Sequence, residues 1–139
     1  MSSVTITAEL QVAPDKVWQL IGGFGSLPDW IPFVTQCELT DGGRVRHLTA
    51  ADQSFIEKLE KYDSEDRSYS YSIAESHFPV TDYLSTLRVT AIDSGHGSRV
   101  DWSARFTAEA VGEEEAQGIF KTILSDGLNA LIAHYAGKE

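Results

Sequence analysis

The feature that most constrains the fold is a long stretch of helical periodicity near the C-terminus, roughly residues 113–135. Its apolar residues recur at steps of three and four, which is the spacing of one helical face. They are Ala116, Ile119, Phe120, Ile123, Leu124, Gly127, Leu128, Leu131 and Tyr135. Three glutamates occupy the first turn, where negative charge meets the positive end of the helix dipole, and Gly137 follows the last apolar residue, where a helix can end. Such a helix requires a surface that covers its apolar face.

The chain before this helix supplies strands. Apolar and polar residues alternate along several short segments, as in Val4 to Gln11, and this pattern is typical of strands with one buried face. We predict strands over residues 4–11, 33–39, 44–49, 54–62, 68–73, 83–92 and 98–108, with two short helices after the first strand. Short polar turns join consecutive strands, so the sheet is an antiparallel meander. The fold class is α+β, with a curved seven-stranded sheet around one long helix.

The length and the net charge of the chain limit the classes of function that it can have. A chain of 139 residues with 42% hydrophobic residues fits one domain, residues 1–139, with a core of its own. The formal net charge is −10. Nucleic acids and anionic membrane surfaces require clusters of Lys and Arg, so neither is expected as a partner.

The sequence also predicts the compartment. Cys37 is the one cysteine, so no internal disulfide can form. The first residues lack the basic and apolar regions of a secretory signal, and no apolar run is long enough to span a membrane. We expect a cytoplasmic protein without an integral membrane segment, either a monomer or a homodimer.

Four stretches carry a resemblance to a known family. They are Ala-Pro-Asp-Lys-Val-Trp at residues 13–18, Leu-Pro-Asp-Trp-Ile-Pro-Phe at 27–33, Glu-Lys-Leu at 57–59 with Asp63, and Gly-Leu-Asn-Ala-Leu at 127–131. In this order the chain resembles, over essentially its whole length, the START/Bet v 1-like superfamily, in its polyketide cyclase/dehydrase and lipid-transport branch. The resemblance implies a helix-grip fold, in which the sheet curls around the C-terminal helix and leaves a cavity for a hydrophobic or amphipathic ligand.

In such a fold, the inward positions of the strands and of the long helix would line the cavity. The candidates are Phe33, Phe55, Glu57, Leu59, Tyr69, Tyr71, Ile73, Tyr83, Ser85, Leu87, Trp102, Phe106, Ile119, Ile123, Leu124 and Gly127. For each of them, ordinary core packing is the alternative. The aromatic residues favour a cavity because a buried Tyr hydroxyl or Trp indole N–H requires a hydrogen-bond partner.

Glu57 is the most informative candidate because it shares a strand face with Phe55 and Leu59. A carboxylate that points into an apolar cavity costs several kcal/mol unless it is paired. Glu57 therefore either orients a polar ligand group or acts as a general acid or base, or else the strand phase is shifted by one residue and Glu57 is exposed. Arg46 or Arg88 is a possible partner, but strand phase alone places neither inside.

His77, in the loop before Tyr83, is a second catalytic candidate at the expected cavity mouth. No histidines or cysteines have metal-ligand spacing, and the sequence has neither a nucleophile elbow nor a phosphate-binding loop in the right context. We therefore expect neither a metal nor a cofactor.

Three functions remain open. The first is binding of a small hydrophobic or aromatic molecule. The second is a polyketide cyclase/dehydratase-type enzyme that uses acid and base residues in the same cavity. The third is a protein-interaction module with a vestigial cavity.

Overall fold

The computed structural model describes residues 1–136, so the predicted helix end at Gly137 lies outside the described residues. Within these residues there are seven strands and three α-helices. The strands are β1 (Ser2–Leu10), β2 (Val34–Thr40), β3 (Val45–Ala50), β4 (Gln53–Asp63), β5 (Ser68–Glu75), β6 (Val80–Ile92) and β7 (Gly97–Ala108). The helices are α1 (Pro14–Ile21), α2 (Leu27–Trp30) and α3 (Glu113–Ala136). The predicted element order and fold class are confirmed.

The seven strands form one antiparallel sheet in the order β1-β7-β6-β5-β4-β3-β2. Strands β2 to β7 follow one another as a meander, because each is joined to the next by a short connection. Strand β1 pairs with β7 instead, and α1 and α2 carry the chain from β1 at one edge to β2 at the other. The two short helices therefore lie between the edges of the sheet.

Alternation along the strands decides which side chains face the core. On β7, Val100, Trp102, Ala104 and Phe106 are buried, while Arg99 and the other intervening residues are exposed or half-buried. The same alternation runs along β6 from Tyr83 to Val89. One face of the sheet therefore meets the core, as the sequence pattern predicts.

Helix α3 covers only part of that face. It packs mainly against β1 and β7, and it touches α2. Its buried residues include Phe120, Leu124, Leu128 and Leu131. The helix lies toward one side of the sheet, so it does not pack in the same way against the inner face of β3, β4 and β5. A cavity lies beside that face.

Gly127 sets how closely α3 approaches β7. A Cβ atom at this position would lie 2.5 Å from Cζ3 of Trp102. The sequence suggested that the glycine leaves room for a ligand, but the indole of Trp102 occupies that room. Gly127 therefore seats an aromatic side chain and does not itself line the cavity.

Replacing Gly127 with Ala should therefore destabilise the protein, although Ala is the better helix former. The new methyl group collides with a rigid ring, and overpacking of this kind costs about 1–3 kcal/mol. Gly118→Ala is the matched control in the same helix, because nothing lies within 4 Å of a Cβ there. Gly118→Ala should raise the free energy of unfolding by up to about 1 kcal/mol. Urea denaturation measures both variants, and equal stabilisation by both would contradict the tight contact with Trp102.

Candidate functional site

A cavity of about 500 Å³ lies between the sheet, α2 and α3. Most of its wall is apolar or aromatic, with polar groups from only a few side chains. The lining residues are Leu27, Ile31, Phe33, Val34, Arg46, Leu48, Ala50, Ala51, Gln53, Phe55, Glu57, Tyr71, Ile73, Phe78, Tyr83, Trp102, Phe120, Ile123, Leu124 and Asp126.

The lining residues that are exposed to solvent mark the mouth of the cavity. They are Phe33 after α2, Ala51 and Gln53 at the turn between β3 and β4, and Asp126 on α3. The deeper wall is formed by buried residues, including Tyr71, Tyr83 and Trp102. A ligand would therefore enter between α2, the β3–β4 turn and α3.

Arg46 and Glu57 form a buried ion pair in this wall. They are direct partners in the antiparallel register of β3 and β4, which places their side chains side by side. Arg46 Nε donates to Glu57 Oε1 at 2.8 Å, and Arg46 Nη2 lies 2.7 Å from the same oxygen. The pair resolves the sequence ambiguity: Glu57 faces inward and Arg46 is its partner.

Further contacts enclose the guanidinium of Arg46. Its Nη1 donates to the carbonyl oxygen of Phe24 at 3.0 Å and to the hydroxyl of Tyr69 at 3.3 Å. Its Cζ lies 4.2 Å from the ring centroid of Phe24 and 4.5 Å from that of Tyr71. Burial alone would lower the pKa of Arg46, but the charge of Glu57 and the neighbouring tyrosines outweigh it and raise that pKa above its ordinary value. Arg46 is a permanent buried cation with several partners.

A second polar cluster lies beside this pair. The indole N–H of Trp102 approaches the hydroxyls of Ser85 at 3.1 Å and Tyr71 at 3.3 Å, and Ser85 donates to the carbonyl oxygen of Ser103 at 2.7 Å. Burial is the main cause that raises the pKa values of Tyr71 and Tyr83. The neighbouring Tyr83 and then the charge of Glu57 raise the pKa of Tyr71 further, and the charge of Glu57 also raises that of Tyr83. Both phenols therefore keep their protons at neutral pH and can donate hydrogen bonds.

Several predicted site residues come together in the cavity wall. They are Phe33, Phe55, Glu57, Tyr71, Ile73, Tyr83, Trp102, Ile123 and Leu124. They come from β4, β5, β6, β7, α3 and the segment after α2. The strand phases and the helical periodicity are sufficient to place this group.

Other predicted lining residues lie outside the cavity, for reasons of packing. Tyr69 lies behind the cavity wall against Phe24 and Trp18, and Leu87 is the cross-strand partner of Tyr69. Phe106 is covered by Phe120, with ring centroids 4.8 Å apart.

The remaining predicted residues that do not line the cavity are also excluded from it by local packing. The indole of Trp102 covers Ser85, and the same indole occupies the space beside Gly127. Leu59 packs on the edge of the core beside an irregularity in the pairing of β4 with β5. Ile119 is half-buried on α3 and does not reach the cavity, which Phe120 and Ile123 line from the same helix.

His77 does not reach the cavity either. It is exposed in the connection between β5 and β6, and its ring packs against Phe55 and Phe78 at centroid distances of 5.3 and 4.9 Å. It therefore lies behind aromatic residues that line the cavity. Arg88, the other possible partner of Glu57, is exposed and pairs with Asp66 at 2.9 Å.

Sequence reasoning missed part of the wall. Strand phase alone does not place Arg46 inside, and it does not predict the residues contributed by α2, by the strand ends and by the loop at Phe78. The pairing of Arg46 depends on the turn at Ala51 and Asp52, which both have positive φ. Ala-Asp is not one of the dipeptides that mark such a turn, so the sequence carries no clear signal for this pair. That two-residue turn pairs Ala50 with Gln53, and counting back along both strands pairs Arg46 with Glu57.

No group of three or more His, Cys, Asp or Glu side chains in residues 1–136 is arranged to hold a metal ion. No helix within this range is both long and apolar enough to cross a membrane.

Comparison with known proteins agrees with this architecture. The family model described as polyketide cyclase / dehydrase and lipid transport matches residues 1–136. The protein XoxI from Bacillus cereus is 47% identical, with a TM-score of 0.94 over 97% of this chain and 96% of that chain. An uncharacterized protein from Bacillus thuringiensis is 46% identical, with a TM-score of 0.94 over 96% of this chain and 98% of that one. Zhui aromatase/cyclase from a Streptomyces species shares the fold at 18% identity, with a TM-score of 0.77 over 96% and 92% of the two chains.

The buried pair makes a sharp stability prediction. Arg46→Met leaves the Glu57 carboxylate buried without its partner, which should lower the free energy of unfolding by about 3–5 kcal/mol. The double variant Arg46→Met/Glu57→Met should recover most of this loss, because an apolar pair needs no counter-charge. The control is Arg88→Met, whose exposed ion pair should contribute less than about 1 kcal/mol. Urea denaturation of the three variants tests this, and equal costs at Arg46 and Arg88 would contradict it.

Proposed function

The chain belongs to the polyketide cyclase/dehydrase and lipid transport family of START-like proteins, and on that premise we propose that it binds a small hydrophobic or aromatic molecule in the cavity between the sheet and α3. The single observation that carries the proposal is an open, mostly apolar cavity of about 500 Å³ with one polar corner. Ligand sites usually have volumes of roughly 300–1,000 Å³ and combine apolar walls with a few oriented polar groups.

The composition of the wall supports a ring-shaped or otherwise flat ligand. Phe55, Tyr71, Tyr83 and Trp102 present aromatic surface, and Leu48, with other aliphatic residues, completes the wall. Aromatic side chains supply large apolar contact areas and favour offset or edge-on packing with other rings. An open cavity of this size also argues against a protein-interaction module in which the cavity is vestigial.

The polar corner favours binding over catalysis. A general base takes up a proton, but Glu57 neutralises the buried Arg46 through contacts at 2.7 and 2.8 Å, and a proton on Glu57 would leave that cation without its counter-charge. His77, the other candidate, lies outside the cavity wall. Of these two candidates, Glu57 lines the cavity and His77 does not.

A cyclase or dehydratase is the second candidate, and one observation favours it. The protonated hydroxyls of Tyr71 and Tyr83 lie in the cavity wall near Glu57 and could stabilise negative charge that develops on a carbonyl oxygen. The family description and the fold shared with an aromatase/cyclase are consistent with such chemistry.

Filling the cavity should abolish ligand binding without unfolding the chain. Ile123→Trp places an indole where Ile123 lines the cavity. We expect the affinity for the neutral fluorescent dye N-phenylnaphthylamine to fall by about tenfold or more, because the apolar contact area is lost. Ile132→Trp is the control, since Ile132 lies on the same helix with 42% of its surface exposed. Dye titration and circular dichroism measure both variants. The proposal fails if the parent does not bind the dye, or if Ile123→Trp binds it as well as Ile132→Trp.

Proton exchange separates binding from catalysis. Aldol cyclisation of a polyketone and dehydration of the resulting β-hydroxy ketone both begin with removal of a proton next to a carbonyl. We expect the exchange of these protons in α-tetralone with deuterated water, followed by NMR, to be no faster with the protein than in buffer, because a proton taken up by Glu57 would leave the buried Arg46 without its counter-charge. Acceleration that disappears in Glu57→Gln would instead support the enzyme.

A further inference from the structure

We propose that this cavity selects neutral ligands that carry a hydroxyl group, with Glu57 as the hydrogen-bond acceptor for that hydroxyl and Arg46 as a buried counter-ion that the ligand does not touch. The inference rests on the proposed function and specifies the chemical class of the ligand. It follows from how differently the two members of the ion pair are presented to the cavity.

Arg46 is closed off from a ligand. Only 1% of its side chain is exposed, although the residue forms part of the wall. Its guanidinium packs against the rings of Phe24 and Tyr71, and Nη1 is already used by Phe24 and Tyr69. Nη2 contacts Glu57 but is buried without a well-aligned hydrogen bond to any group in the described part of the chain. Its donors are either used by the protein or buried, and they are not presented to an anionic ligand.

Glu57 is presented to the cavity. Its side chain is 12% exposed, and it lines the cavity. Both contacts from Arg46 end on Oε1. No side chain or backbone group within residues 1–136 donates a hydrogen bond to Oε2. A carboxylate oxygen at an otherwise apolar surface is a strong acceptor, and a ligand that supplies a donor there satisfies it.

The charge of the pair excludes ionic ligands. Arg46 and Glu57 together are neutral, so the polar corner has no net charge to offer a partner, and Asp126, the other charged lining residue, lies at the solvent-exposed mouth. A ligand carboxylate would lie against Glu57 and would lose its hydration without gaining a free cation. A ligand ammonium group would likewise enter an apolar space in which the one carboxylate of the corner is already neutralised. A neutral donor avoids both costs.

The neighbouring tyrosines favour a hydroxyl over other donors. Tyr71 and Tyr83 line the same part of the cavity, and both are close enough to Glu57 for its charge to act on them. A hydroxyl oxygen can donate to Glu57 and, at the same time, accept from a tyrosine hydroxyl. A ligand hydroxyl therefore matches the whole polar corner.

A matched series of probes tests the inference. The probes are naphthol, methoxynaphthalene and naphthoate, substituted at the same ring position and titrated at neutral pH by displacement of N-phenylnaphthylamine. Methoxynaphthalene retains the ring and the acceptor oxygen but has no donor. We expect naphthol to bind about tenfold or more tightly than methoxynaphthalene, as for a hydrogen bond to a charged group, and naphthoate to bind most weakly.

Two variants identify the acceptor. In Glu57→Gln the charge of Arg46 is no longer neutralised, so the order should invert and naphthoate should bind more tightly than naphthol. The double variant Arg46→Met/Glu57→Met removes the pair without leaving a buried charge. It should bind naphthol and methoxynaphthalene with equal affinity, and it tests the role of Glu57 if the Glu57→Gln variant does not fold.

The outcomes separate the two levels of the proposal. If methoxynaphthalene binds but naphthol shows no advantage, the hydroxyl selection is wrong and the binding function stands. The same conclusion follows if the double variant keeps the preference for naphthol, or if the parent favours naphthoate. If none of the probes and dyes binds, the proposed function fails, and the selection fails with it.

Discussion

The buried pair of Arg46 and Glu57 is the interaction on which the site depends. Two charges on the buried face of the sheet would be costly if either lacked its partner, because a buried charge loses its hydration. The antiparallel register of β3 and β4 removes that problem by placing the two residues directly opposite each other. Phe24, Tyr69 and Tyr71 then enclose the cation with a carbonyl, a hydroxyl and ring faces. What remains facing the cavity is a neutral corner with one available carboxylate oxygen.

The cavity itself follows from the off-centre position of α3. The helix covers β1 and β7, and Gly127 lets it approach close enough to seat the indole of Trp102. The indole N–H is then held near Ser85 and Tyr71, which fixes the ring as part of the cavity wall. The other half of the sheet curves away from the helix, and the short helix α2 completes the wall without filling the space. The same contacts thus create both the core and the opening.

Much of this could be predicted from the sequence, because periodicity reports local structure directly. Alternation along residues 98–108 and the apolar stripe of residues 113–135 give the strand, the helix and their buried faces. The partner of Glu57 could not be assigned in this way, since pairing depends on the exact turn at Ala51 and Asp52. The sequence also does not predict how far the cavity extends. Leu87 and Phe106 face inward as expected, but other side chains cover them. Alternation specifies the face of the sheet on which a side chain lies, whereas packing across the core decides whether that side chain can contact a ligand.

A crystal structure of the protein grown with naphthol is the most direct measurement of the central claim. We predict ring density between α3 and the inner face of β3–β6, with the naphthol oxygen within hydrogen-bond distance of the free carboxylate oxygen of Glu57 and with Arg46 still enclosed by Phe24 and Tyr71. A naphthol oxygen bonded to Arg46 with Glu57 turned away, or a cavity closed by its own side chains, would contradict it.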